Sequence, residues 1–391
     1  MRSVELFAGA GGLAMGMASA GFQHAAVVEW NHGACETFRE NQKHHVRSVE
    51  KWPLWEGDVR QFDYSQLKGK VVVVSGGPPC QPFSLGGKHR GDMDDRNMFP
   101  EAVRAVRELR PEAFIFENVK GLMRETFSDY FEYIRLQMAH PGFSRSAGET
   151  WREHQIRLEH FQTSRGVRSE YNVVYRLLNA ADYGVPQRRE RVFFVGFRSD
   201  LGVKWSFPEP SHSEEELLRA QWISGEYWDR HQVAKRSRPT LAKRQTARIE
   251  RLRCQPMFDH RLSWSTVRDA ISDLPDPEKL RAADIANHVL NPGARAYPGH
   301  TGSPLDEPAK TLKAGDHGVP GGENMLSRPD GSVRYFTVRE AARLQTFPDD
   351  YIFPGPWTEA MRQLGNAVPV RLGEVVARSV AQTLRNVTER D

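Results

Sequence analysis

Over the first two hundred residues, short apolar runs alternate with segments of helical periodicity. Val4–Phe7 predicts a strand and Gly12–Ala20 a helix rich in small residues; Ala25–Val28 and Gly33–Asn41 repeat that pair. Val71–Ser75 predicts a further strand, Phe99–Leu109 a helix, Ala113–Phe116 a strand and Asp129–Met138 a helix. Val173–Leu178 and Val192–Phe197 read as the closing strands. Strands that are apolar on both faces and alternate with helices belong in a mostly parallel sheet covered on both sides. The expected class is α/β, an open, doubly wound sheet of the Rossmann kind.

Beyond that series the pattern weakens. Residues 199–335 are rich in Pro, Gly, Arg and His, with turn clusters such as "PDPEK" and "GVPGGEN". Helical periodicity resumes at Thr337–Thr346, and a last helix is expected from about Arg371 to Leu384. The expected organisation is a first domain over 1–198, a smaller loop-rich insertion over 199–335, and a return segment over 336–391 whose last helix completes the first domain.

Charge sharpens the view of the insertion. The whole chain carries a net charge of only +4, yet residues 219–261 hold eleven Lys/Arg against four Asp/Glu. Trp222, Tyr227 and Trp228 lie among these charges, an arrangement that suits a surface gripping a polyanion with stacking side chains. Lys235, Arg236 and Arg238 stand at its centre. No apolar run approaches a membrane span, and the first residues lack the layout of a signal peptide. Cys35, Cys80 and Cys254 are odd in number and far apart, so a reducing, cytoplasmic setting is expected.

Two groups of residues suggest chemistry. The first strand runs into "FAGAGG", Phe7–Gly12, whose glycines let the backbone turn sharply and approach a ligand at a helix N-terminus. Glu29 follows Gly9 by twenty residues, where a carboxylate can take hydrogen bonds from ribose hydroxyls. Trp30 can pack on an adenine ring, and Asp58 in "EGDV" can hold an exocyclic amine. An adenosine-type cofactor is expected; this much does not separate NAD from S-adenosylmethionine. The second group is "GGPPCQPFS", Gly76–Ser84, at the end of an apolar strand, where two prolines hold the backbone stiffly in front of Cys80. "ENV", Glu117–Val119, ends the next strand, and "QRRER", Gln187–Arg191, opens another.

With "RLQTFPD" and "GNAVP" following in order, the chain resembles the DNA cytosine-5 methyltransferases, and in its compactness those of the bacterial restriction–modification type. Matching motifs run from Val4 to Val370. The resemblance implies S-adenosylmethionine as cofactor, held by Phe7, Ala8, Gly9, Gly11, Gly12, Glu29, Trp30, Asp58, Val59 and Pro78, with Asn366 and Val368 folding back beside them. One departure of spacing at "RNMFPE" leaves open whether Met98 or Phe99 lines that pocket. The same resemblance implies that Cys80, Glu117, Arg191 and Arg189 are catalytic. Asn118 would brace the loop of Cys80, and Ser84, Lys88 and Gln187 would contact the DNA substrate. Residues 199–335 would form the target-recognition domain.

The residue types suit the reaction. Carbon 5 of cytosine is a poor nucleophile, and addition of a thiolate to carbon 6 converts the ring into an enamine that attacks through carbon 5. Glu117 would neutralise charge developing at ring N3, and the Arg191 guanidinium would orient the base. The target lies inside the duplex stack and must be rotated out. The expected partner is double-stranded DNA, read by a monomer, with any cognate endonuclease acting separately. A thiol after the prolines, where amino-methylating enzymes place an aromatic residue, argues against methylation of an exocyclic amine. The long basic insertion favours DNA over transfer RNA.

Overall fold

The computed structural model describes residues 1–79, 97–164, 166, 168–241, 243–254, 260–279, 285–314 and 324–389. Cys80, Ser84 and Lys88 lie outside the described residues. Two compact units are present: 1–178 with 190–208 and 373–391, and 179–189 with 209–372. These limits do not follow the expected cuts at 199 and 336. The chain enters the second unit briefly before the last strand of the large sheet, and returns to the first only at Gly373.

The first unit is built on a seven-stranded sheet. Its strands are β1 (Arg2–Leu6), β2 (Gln23–Glu29), β3 (Leu54–Glu56), β4 (Val73–Gly76), β5 (Ala113–Val119), β6 (Tyr171–Asn179) and β7 (Glu190–Arg198). The order is β3-β2-β1-β4-β5-β7-β6. Pairs from β3 to β5 are parallel, and β7 runs antiparallel to β5. The expected mostly parallel, doubly wound sheet is what forms. Helices α1 (Gly12–Ser19), α2 (His32–Lys43), α3 (Phe99–Leu109), α4 (Ser128–Ala139) and α5 (Trp151–Thr163) accompany it. Val4, Val74, Phe114, Phe116 and Phe194 from the sheet meet Phe99, Val106 and Ile134 from the helices in one buried cluster. Each such side chain contributes about 1.5–3 kcal/mol by leaving water. Strand order reverses between β1 and β4, and in such sheets the crevice beyond the strand ends at that reversal is where ligands bind.

The second unit is more helical than its composition suggests. It contains α6 (Glu214–Trp222), α7 (Glu226–Arg230), α8 (Lys243–Cys254), α9 (Val267–Ile271), α10 (Val338–Leu344) and α11 (Trp357–Asn366). A final helix, α12 (Val370–Thr388), begins in this unit and continues in the first from Gly373. Two small sheets complete it: β8 (His212–Ser213) beside β9 (Leu262–Ser263), and β10 (Ser303–Pro304), β11 (Met325–Ser327) and β12 (Val333–Tyr335). Here one expectation fails. Tyr227 and Trp228 are buried, packed with Leu217 and Trp264, so they form core and offer no stacking face to a polyanion.

Candidate active site

β1 and β4 both end at the strand-order reversal. Leaving β1, Phe7, Gly9 and Gly11 adopt left-handed φ values of 54°, 53° and 84°. A side chain at Gly11 would meet the ring of Phe38 at 2.7 Å, so only glycine fits there. The Ala8 N–H bonds Val28 O at 3.2 Å, and Gly12 opens α1. This turn brings the Gly9 N–H onto Glu29 Oε2 at 2.7 Å, while the N–H groups of Trp30 and Asn31 donate to Oε1 at 3.0 and 2.7 Å. The carboxylate is therefore buried and fixed in direction by three main-chain donors.

Trp30, the next residue, has 70% of its surface exposed. A tryptophan so open beside a fixed carboxylate is a fitting wall for an adenine ring. Asp58 caps the short turn Val59–Gln61, with Val59 buried beneath it. Arg60, bonded to its carboxylate, holds Asp58 below the usual carboxylate range. Phe99 is sealed in the core, whereas Met98 is only partly buried and donates its N–H to Pro79 O at 3.0 Å. Of the two candidates, Met98 is the one free to line a pocket. The residues present fit S-adenosylmethionine: a carboxylate for the ribose, an open indole and a carboxylate for the adenine, and a glycine turn for close approach.

A second group forms where β5 and β7 pair. Glu117 and Arg191 are both nearly buried, and Arg191 Nε lies 2.7 Å from Glu117 Oε1. Burial pulls the guanidinium pKa below its ordinary value, against the upward pull of Glu117; it remains a cation. The chain leaving β4 runs against this pair. A Cβ added at Gly77 would stand 3.1 Å from Glu117 Oε2, and Asn118 Nδ2 donates to Pro78 O at 2.8 Å. Residues 77–79, which lead directly to Cys80, are thus pinned to the "ENV" strand end. Gly77 was missed as a site residue, although a doubled glycine before two prolines is a signal of close backbone approach.

Two expected site residues are built into the scaffold instead. Arg189 is wholly buried, and its guanidinium donates to the carbonyls of Leu312 at 3.0 Å and Gly365 at 2.6 Å. Gln187 is also wholly buried; it donates to Leu344 O at 3.3 Å and accepts from the Leu312 N–H at 3.0 Å. These main-chain partners tie both side chains to the scaffold. Gln345 completes the brace through Leu364 O at 2.6 Å. Gln187 and Arg189 of "QRRER" therefore hold "RLQTFPD" and "GNAVP" within the second unit. Asn366 is exposed at the end of α11 and Val368 is buried in the same unit.

The basic stretch is largely answered by acids close to it. Arg248 pairs with Glu214 at 2.8 Å, Arg251 with Glu215 at 3.6 Å, and Arg230 with Asp269 at 2.7 Å. Arg238 bonds Asp229 at 3.0 Å and lies over the Trp228 ring. Lys235 and Arg236 are exposed and form no ion pair with any described residue.

A doubly wound sheet with a glycine turn and a fixed carboxylate at its strand-order reversal, and a buried Glu–Arg pair beside Gly77 and Pro78, is an arrangement that suits an α/β group-transfer enzyme. The family model for C-5 cytosine-specific DNA methylases matches residues 1–382, and the chain belongs to that family. It is 32% identical over 390 residues to the type II methyltransferase M.Eco47II of Escherichia coli, covering 99% of this chain and 80% of that one. It is 30% identical to the type II methyltransferase M.NgoMIV of Neisseria gonorrhoeae, covering 98% of each. In fold it is similar to a prophage-encoded DNA modification methyltransferase structure from E. coli, at 22% identity and a TM-score of 0.55, covering 98% of this chain and 99% of that one. It is also similar to the Dnmt2 methyltransferase of S. pombe, at 16% identity and a TM-score of 0.57, covering 99% of each. The enzyme is a DNA cytosine-5 methyltransferase. Among the described residues no helix is long and apolar enough to cross a membrane, and no cluster of side chains could hold a metal ion.

Proposed function

We propose that the enzyme methylates carbon 5 of a cytosine rotated out of a specific double-stranded DNA sequence, through a covalent bond from Cys80 to carbon 6. The observation that carries this reading is the buried Glu117–Arg191 pair, with the segment leading to Cys80 held against it by Gly77 and Asn118. The Cys80 thiolate forms the bond to carbon 6, and the displaced π-electrons move onto the ring. Glu117 supplies or shares a proton at N3 and so neutralises that charge. Arg191 holds the Glu117 carboxyl in place and orients the base. Gly9, Glu29, Trp30 and Asp58 would hold S-adenosylmethionine, which would supply the methyl group for carbon 5 as a sulfonium electrophile. Loss of the carbon 5 proton and departure of the Cys80 sulfur restore the aromatic ring.

Cys80 has no competitor in Cys35. That thiol is buried against Glu29, and burial pushes its pKa up to about 12. Ser84 and Lys88 would contact phosphate, and the second unit would recognise the target. Because its relatives are named type II methyltransferases, we infer a role in protecting DNA from a separate, cognate endonuclease, with the methyltransferase acting as a cytoplasmic monomer. Duplex DNA carrying 5-fluorocytosine at the target is expected to trap an adduct on the Cys80 peptide, and Cys80→Ser is expected to abolish both adduct and methyl transfer. An adduct on Cys35 or Cys254, or substantial turnover by Cys80→Ser, would overturn the covalent reading.

A further inference from the structure

Helices α3 and α4 of the first unit enclose, with the strap 141–145 and the start of α5, a cleft of about 410 Å³. Its walls are regular helix faces. Pro100, Val103, Arg104 and Arg107 recur at helical spacing on α3, and Tyr130, Tyr133 and Gln137 do so on α4. Trp151 and His154 close it from α5. Gly9, Glu29, Trp30 and Asp58 do not line it; Met98 does, and so does Arg60, which bonds Asp58.

The floor is aromatic and the rim is basic. His154 is satisfied, with Tyr133 OH at 2.9 Å and Phe143 O at 3.0 Å. Arg104 is paired with Glu101 and Glu108, and Arg60 with Asp58. Glu101, the acid of the lining, is thereby spent. Arg107 bonds only the Ser144 hydroxyl, at 3.0 Å, and Arg145 a main-chain carbonyl; neither forms an ion pair with any described residue. Two cations are thus left for an outside anion.

Gln137 supplies the second observation. It is only 6% exposed, lines the cleft, and its amide nitrogen has no hydrogen-bond partner among the described residues. A buried amide left without a partner costs stability that an apolar side chain of the same length would recover. Its retention here has a reason if a ligand completes it.

We propose that this cleft binds a small organic anion with a planar ring, its phosphate or carboxylate met by Arg107 and Arg145 and an acceptor met by the Gln137 amide. The volume lies in the range of small-molecule sites. The Tyr133 and Trp151 rings form an apolar floor that suits a flat body, and the arginine fork suits an oxyanion. The cleft borders the expected cofactor pocket at Met98, but the groups proposed to hold the anion, Arg107, Arg145 and Gln137, take no part in methyl transfer.

Calorimetry with phenyl phosphate, inorganic phosphate and benzyl alcohol as probes tests the site on the whole enzyme. Phenyl phosphate is expected to bind saturably and more tightly than either fragment. The double variant Arg107→Ala/Arg145→Ala is expected to weaken it by about tenfold or more, and Gln137→Met by about five- to tenfold. Thermal unfolding without ligand separates this role from a structural one. Gln137→Met is expected to unfold at the same or a higher temperature than the parent, because it removes an unpartnered amide. Absence of saturable binding, equal affinity for inorganic phosphate, unchanged affinity in the variants, or a lowered melting temperature for Gln137→Met would each overturn the proposal.

Discussion

At the scale of single residues, Glu29 carries two burdens at once. Its carboxylate orders the turn after β1 and the start of α2 through three main-chain N–H groups, and it is the group that fits a ribose. Glu29→Ala is therefore expected to lower the melting temperature as well as cofactor affinity, because buried donors lose their acceptor. Glu29→Gln keeps one carbonyl oxygen and separates the two roles. It is expected to weaken S-adenosylmethionine by about 1.5–3 kcal/mol in calorimetry with a smaller change in stability. Unchanged affinity would remove Glu29 from the cofactor site. Glu5 is a residue of the opposite kind. It lies near the end of β1, and burial pushes its pKa up to about 8, opposed by the hydroxyl of Ser75. A carboxyl raised in the fold favours folding below its unfolded pKa, and that contribution is lost as pH rises through the folded value. Stability is thus expected to fall between about pH 4.5 and pH 8, by up to ~1.4 kcal/mol per pH unit from this group. Glu5→Gln should flatten that slope; denaturant unfolding at pH 6 and pH 8 measures it.

At the scale of elements, the basic segment divides into parts with different work. Lys235 and Arg236 are exposed and pair with no described acid, whereas Arg238 lies on Trp228 and bonds Asp229. Replacing Lys235 and Arg236 by alanine is expected to weaken DNA binding at every sequence. The slope of log K against log salt should then become shallower by about 0.9 for each phosphate that is no longer neutralised. Arg238→Ala is expected instead to lower the stability of its unit. If the first pair leaves affinity and salt slope unchanged, DNA is held elsewhere. The tryptophans illustrate why this division was not legible in the chain: an aromatic among arginines reads the same whether it faces solvent or core, and only packing against Leu217 and Trp264 decides it. α5 was missed for a different reason. Its periodicity is weak, but Thr150 and Glu153 form a capping box, a local signal that marks a helix start without any amphipathic stripe.

At the scale of the whole molecule, the sheet was legible because strands buried on both faces must be apolar throughout, as Phe114 and Phe116 on β5 are. At the candidate site, the placement of Glu29 and Glu117 at the ends of β2 and β5, and of Arg191 beside Glu117, could be read from the strand pattern. It was not legible at Arg189 and Gln187. Their polar side chains look functional in the sequence, and the carbonyls they satisfy lie more than a hundred residues away, on Leu312, Leu344 and Gly365. Long-range polar satisfaction leaves no periodicity to read. The unit boundaries were blurred in the same way, since the chain crosses between units inside a motif, between Arg189 and Glu190.

That interrupted course has a consequence for how the protein is made. The first unit is assembled from three separated stretches, and the last of them leaves the ribosome only after the whole second unit has been translated. In that stretch Gly373 packs on Leu13, Arg378 reaches Ser19 O, and Ser379 accepts from Trp205 Nε1 at 3.0 Å. A nascent chain that stops short of Gly373 leaves α1 and the segment around Trp205 uncovered, however much of the sheet has already formed. Chains released after Leu372 are expected to aggregate or be degraded by protease, and the peptide 373–391 supplied in trans should restore part of their resistance to digestion. The first unit therefore closes only once the stretch from Gly373 has been made.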